Sequence, residues 1–132
     1  VTPSADGPTV VIADDDADIR NLVTVAAGRA GLVIAASEAD GAAALNAIND
    51  LRPDLAILDV AMPEMSGLQV CRAIRASDDL ATIKVLLLSA AVQEEAVTAG
   101  VDAGADLYVH KPFSPRSLTE QIRGLLAGQQ IR

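Results

Sequence analysis

Aromatic side chains are nearly missing: the 132 residues include one tyrosine, one phenylalanine and no tryptophan. A chain so poor in rings offers bases no stacking platform, and its formal net charge of -8 offers phosphates no basic stripe. Composition therefore speaks against nucleic acid or an anionic membrane as a direct partner. Cysteine is limited to Cys71 and histidine to His110. One thiol cannot close an internal disulfide, and without a second His or Cys a transition-metal site lacks ligands. Glycine is missing from "DDDADIR", Asp14 to Arg20, where a dinucleotide or flavin enzyme would need it to cradle a pyrophosphate. No apolar run is long enough to span a bilayer, and no basic leader with an apolar core opens the chain, so a cytoplasmic protein is expected.

What the chain does have is Val, Ile, Leu and Ala in quantity, enough for the single core that one domain of this length needs. Short apolar runs alternate with longer segments of helical period, the pattern of βαβ units around a parallel sheet. The runs are Thr9 to Ala13, Leu32 to Ala36, Leu55 to Leu58, Ile83 to Leu88 and Asp106 to His110. Between them Ile19, Leu22, Val23, Ala26 and Ala30 share one helical face, as do Leu45 with Ile48, and Val70 with Cys71 and Ile74. Leu118, Ile122 and Leu125 repeat the pattern in the last segment. Ser66 with Gln69 predicts a capping box, Ser114 before Pro115 an N-cap, and Gly31 the close of the first helix. The segment Val92 to Ala103 carries Gly100 and only small apolar side chains, which predicts the least stable helix. Residues 1–8 read as a disordered tail, 9–127 as one domain and 128–132 as a C-terminal tail or linker start.

In an open parallel α/β sheet, ligands bind beyond the carboxyl ends of the strands. Strand 1 runs into Asp14 and Asp15, strand 3 ends at Asp59, strand 4 at Ser89 and strand 5 at Lys111. Strand 2 delivers nothing comparable, as expected of a strand at the sheet margin. Carboxylates crowded at ~4 Å repel by roughly 4 kcal/mol per pair at an effective dielectric of ~20, so the cluster calls for a cation. Hard oxygen donors suit Mg²⁺, or Mn²⁺ in its place. Asp59 can act as a nucleophile toward phosphorus, Lys111 can neutralise phosphoryl oxygens, and Ser89 can donate a hydrogen bond to one of them.

"IADDDADIR", "LAILDVAMPEMSG", "LLLSAA" and "ADLYVHKPF" together resemble the four signature segments of response-regulator receiver domains, in the same order and at comparable spacing, over Thr9 to Ala127. The resemblance implies a flavodoxin-like (βα)5 fold with strand order 2-1-3-4-5, an arrangement for which a receiver is itself the standard illustration. It implies phosphorylation of Asp59 by a histidine kinase or histidine phosphotransfer protein, with Mg²⁺ held by Asp14, Asp15, Asp59 and the backbone carbonyl of Ala61. Ser89 and Tyr108 match the switch residues, and Lys111-Pro112 matches a bond that is usually cis in the family. The implied output is a change of the helix 4-strand 5-helix 5 face, read by an output domain or partner protein or by a second copy. Such a chain is no enzyme toward external substrates; it catalyses only its own phosphorylation and dephosphorylation. Two positions after Asp59 stands Ala61, and two after Ser89 stands Ala91, so attacking water has room but no polar guide. Ala61 also removes the second acid that a phosphatase on a similar fold would require. The alternative is a receiver-like interaction module that is never phosphorylated.

Overall fold

Five parallel strands in the order β2-β1-β3-β4-β5 carry the chain in the computed structural model, which describes residues 7–90 and 94–131. The elements are β1 (Thr9–Ala13), α1 (Ala17–Arg29), β2 (Val33–Glu38), α2 (Gly41–Leu51), β3 (Leu55–Asp59), α3 (Gly67–Ala76), β4 (Lys84–Ser89), α4 (Glu94–Asp102), β5 (Leu107–His110) and α5 (Pro115–Ile131). This is the doubly wound flavodoxin-like arrangement expected, with β2 at the margin. Most of the expected N-terminal tail, and Ala91, lie outside the described residues, and α5 continues through most of 128–132.

Side chains alternate across each strand with period two, and here both faces are covered. Val10, Ile12, Leu55, Ile57, Leu86 and Leu88 point to one layer, where they meet Val23 and Ala26 of α1 and Leu118 and Ile122 of α5. Val11, Ala13, Ala56, Leu58, Val85 and Leu87 point to the other, against Ala44 and Ile48 of α2 and Val70, Cys71 and Ile74 of α3. Each fully buried Val, Leu or Ile contributes roughly 1.5–3 kcal/mol, and these two clusters fix the register that aligns the strand ends.

Local signals set the helix limits. The Ser66 hydroxyl accepts from the Gln69 N–H while the Gln69 side chain accepts from the Ser66 N–H, the reciprocal pair expected. Ser114 Oγ accepts from the Ser117 N–H at 3.0 Å. Gly31, at φ +95°, follows α1 and donates to the Gly28 carbonyl. One expectation is corrected: Leu22 is 40% exposed, since it lies about 100° round the helix from Val23, the centre of the buried stripe.

Candidate functional site

The three consecutive aspartates after β1 have three different jobs. Asp14 is fully buried: its Oδ1 accepts from the Asp16 N–H at 2.9 Å, and its Oδ2 accepts from Lys111 Nζ at 2.9 Å. Asp16 turns the other way and caps α1, accepting from the N–H groups of Asp18 and Ile19. That leaves Asp15, exposed between them, with a carboxylate oxygen within 4.8 Å of those of Asp14 and Asp59. Arg20, one turn into α1, donates to the Asp14 carbonyl oxygen at 2.6 Å and anchors the turn from behind. Nothing in the sequence reading pointed to Arg20; its spacing of one helical turn from the cap was the available signal.

Asp59 ends the fully buried β3 next to β1, and only 4% of it is exposed. Lys111 Nζ lies 3.1 Å from its Oδ1, so one ammonium spans Asp14 and Asp59. Burial, then the nearby Asp14 carboxylate, push the Asp59 carboxyl above its ordinary range; Lys111 and the Ala61 N–H pull against that shift without cancelling it. Burial alone would lower the Lys111 ammonium, but its hydrogen bonds and charge pairing with Asp14 and Asp59 hold it above its ordinary value. The Lys111-Pro112 bond is cis, as the resemblance implied.

Asp59 pairs with Leu88 in the β3-β4 ladder, which places Ser89 one residue beyond it on the neighbouring strand, buried. The Ser89 carbonyl accepts from the Lys111 N–H at 2.8 Å and joins the ends of β4 and β5. Ala61 is exposed in the loop after Asp59. Tyr108 stands apart, half-buried on β5 opposite Leu87, with its ring edge-on to His110 at 5.4 Å. His110 itself is exposed.

The loop after β3 returns so tightly that a Cβ on Gly67 would sit 2.3 Å from the carbonyl oxygen of Asp59. Gly67 is the first residue of α3, and its bareness lets that helix start against the backbone of the site. Gly67→Ala is expected to cost about 1–3 kcal/mol in urea unfolding, the usual range for overpacking against backbone that cannot move aside. A value within about 0.5 kcal/mol of wild type would show that the loop yields freely.

Carboxylate oxygens of Asp14, Asp15 and Asp59 all lie within 4.8 Å of one another. Octahedral Mg²⁺ binds at about 2.0–2.1 Å, which sets oxygens about 3 Å apart when adjacent and about 4.2 Å when opposite. One carboxylate oxygen from each aspartate thus lies near the span of a single small hard cation's shell, and Asp15 is the exposed member of the three.

The family model of the response regulator receiver domain matches residues 10–123. Among curated proteins, the chain is 39% identical over 128 residues to the transcriptional regulatory protein GltR of Pseudomonas aeruginosa, covering 97% of this chain and 52% of that protein. It is 36% identical over 117 residues to the DNA-binding response regulator MtrA of Mycobacterium tuberculosis, covering 89% of this chain and 50% of that protein. A crystal structure of a putative response regulator from Chloroflexus aurantiacus superposes with a TM-score of 0.84 at 32% identity, covering 91% of this chain and 98% of that one. The chain thus spans about half the length of the curated relatives it matches. This corrects the partner expectation drawn from composition, which had no direct nucleic acid in it. The relatives are transcriptional and DNA-binding regulators, and the charge of the half that matches does not report what the other half binds. No helix among the described residues is long and apolar enough to cross a membrane.

Proposed function

The chain belongs to the response regulator receiver domain family, and from that membership we propose that it is a phosphoacceptor switch in which Asp59 carries the phosphoryl group. The observation that carries the proposal is the single ammonium of Lys111, 2.9 Å from Asp14 and 3.1 Å from Asp59, beside an acidic cluster of the size a small cation requires.

A carboxylate oxygen of Asp59 attacks the phosphorus of a phosphohistidine on a sensor kinase or phosphotransfer protein. The O–P bond forms as the P–N bond breaks, and the electron pair leaves with the imidazole nitrogen. Asp14, Asp15, Asp59 and the Ala61 carbonyl would hold Mg²⁺ or Mn²⁺, which when bound supplies positive charge to the phosphoryl oxygens. Lys111 exchanges its contact with Asp59 for one with a phosphoryl oxygen, and Ser89 turns its hydroxyl toward another. Asp14, buried and fixed by the Asp16 N–H, keeps the ammonium aimed throughout. Movement of Ser89 changes the space available to Tyr108 on the adjacent strand, and so the surface made by α4, β5 and α5. The free energy of that change is the difference in phosphoryl contacts between the two states. In a protein built like the relatives, this face would act on a DNA-binding half.

Intact-protein mass measurement after incubation with acetyl phosphate tests the proposal. One added phosphoryl group is expected with Mg²⁺ and none with a chelator. In parallel, Mg²⁺ at ~100 times its dissociation constant is expected to stabilise the fold by ~2.7 kcal/mol. A metal-stabilised protein that takes up no phosphoryl group would instead indicate an interaction module that is never phosphorylated.

A further inference from the structure

Gly100 lies in the interior of α4, buried, at a position where an alanine would extend a helix better than glycine does. Its backbone is not in the left-handed region, so conformational freedom does not explain it. Contact does. A Cβ built there would stand 2.8 Å from Cδ2 and 3.1 Å from Cε2 of Tyr108, and 3.4 Å from Cδ1 of Leu87. Gly28 in α1 and Gly124 in α5 would meet nothing within 4 Å. The Tyr108 ring therefore lies against bare helix backbone, with Leu87 beside it and the His110 ring edge-on at 5.4 Å.

We propose that Gly100 is a positioning residue for the switch: its missing side chain is the berth that holds the Tyr108 ring while Asp59 is unphosphorylated, and the ring leaves that berth on phosphorylation. The inference rests on the phosphoacceptor reading above and adds to it the element that holds the resting state. In this structure Lys111 holds Asp59 directly, the contact that the phosphoacceptor reading exchanges on phosphorylation, so the berthed ring goes with the resting arrangement of the site. A methyl group at position 100 occupies the same space as two ring carbons. One of them must move, and the ring turns about its own side-chain bonds more easily than a helix shifts. Filling the berth therefore biases the protein toward the switched state before any phosphoryl group arrives.

The composition supplies the probe. Tyr108 is the only tyrosine and there is no tryptophan, so tyrosine fluorescence reports this one ring. Acrylamide quenching would be measured on wild type, Gly100→Ala and Gly124→Ala, each with Mg²⁺ alone and with Mg²⁺ plus beryllofluoride as a phosphoryl mimic. Wild type and Gly124→Ala are expected to change their quenching constant when beryllofluoride is added. Gly100→Ala is expected to show more than half of that change without it, and a severalfold faster uptake of phosphoryl from acetyl phosphate. A wild type that accepts phosphoryl but shows no fluorescence change rejects the Tyr108 relay. A wild type that changes, alongside a Gly100→Ala that matches it in both states, rejects the berth alone. No phosphoryl uptake by wild type overturns both. Thermal melts cover the case in which the single variant folds poorly: Gly100→Ala should lower the melting temperature with Tyr108 present and raise it in a Tyr108→Ala background. The same sign in both backgrounds would also overturn the berth.

Discussion

Asp59→Asn is expected to take up no phosphoryl group from acetyl phosphate and, in a chelating buffer near pH 7, to melt at a higher temperature than wild type. The first half follows from removing the nucleophile, since an amide oxygen does not form the acyl phosphate. The second follows from the cost of the charge. Asp59 is 96% shielded from solvent, next to Asp14, and its carboxyl is raised above its ordinary value because the ionised form is disfavoured there. An acid raised in the folded state contributes its stability below the unfolded value of 3.8, and that contribution is lost as pH rises through the folded value. The asparagine removes the loss while keeping the shape, and Lys111 retains Asp14 as a partner. A gain of about 1 kcal/mol is expected, or roughly 3–6 °C for a domain of this size. It should shrink toward zero as pH falls below 3.8, where the wild-type carboxyl becomes protonated in both states. Added Mg²⁺ should reverse the order, because only the carboxylate rewards a cation. If the variant melts below wild type in chelator, Lys111 outweighs burial and repulsion, and the electrostatic account of the site is wrong.

Lys111→Met carries the opposite sign and the larger stability effect. Removing one partner of a buried ion pair typically costs about 3–5 kcal/mol, since it leaves uncompensated charge behind. Here two carboxylates lose their shared ammonium, so about 3 kcal/mol is expected by urea unfolding at pH 7–8 in chelator. The wild-type advantage has two ends. Lys111 is raised in the folded state, so its contribution is complete below 10.5 and is lost as pH rises through the folded value. At the acid end the advantage fades as Asp59 takes up a proton. Mg²⁺ should restore much of the loss, because Asp14, Asp15 and Asp59 remain in place to hold it. Phosphoryl uptake should still be slowed by about 10²-fold, the scale on which one charge-stabilising donor acts. Equal stability of variant and wild type at pH 8 in chelator would show that the ion pairs contribute nothing to the fold.

Much of this architecture was legible because its causes are local. β1 comes out at Thr9–Ala13 as read, because an apolar run bounded by turn-formers has few alternatives. The Ser66-Gln69 box and the Gly31 terminator are readable because their chemistry acts within four residues. Asp14, Asp15, Asp59 and Lys111 could be grouped because strand ends in a parallel sheet share an edge. The strand order rested on resemblance, since composition and period are blind to which buried strands are neighbours. Contacts that depend on close approach were not readable at all. Gly41 and Gly67 look like ordinary helix-opening glycines, yet a Cβ would meet the Met65 carbonyl oxygen at 1.9 Å in one case and that of Asp59 at 2.3 Å in the other. The exposure of Leu22 escaped because a wide apolar stripe does not reveal its own centre. Net charge failed in a different way: it describes this stretch of chain and not what the relatives' other half contacts.

Arg75 sits at the edge of the sheet opposite the aspartates. From the last turn of α3 it donates to the carbonyl oxygens of Gly104, Ala81 and Ile83 and to the Asp106 carboxylate, whose Oδ2 also accepts from the Val85 N–H. Gly104 comes two residues after the end of α4 and Asp106 leads into β5, so the C-terminal end of α4 is riveted and, among the described residues, its N-terminal end is not part of that network. The mechanical consequence is leverage. Nine helical residues make an arm about 13 Å long, so a swing of about 10° around the riveted end carries the far tip by about 2 Å. Gly100 lies near the fulcrum, where travel is smallest. If the switch pushes there, the push would be geared up along the arm into a displacement that another molecule could feel.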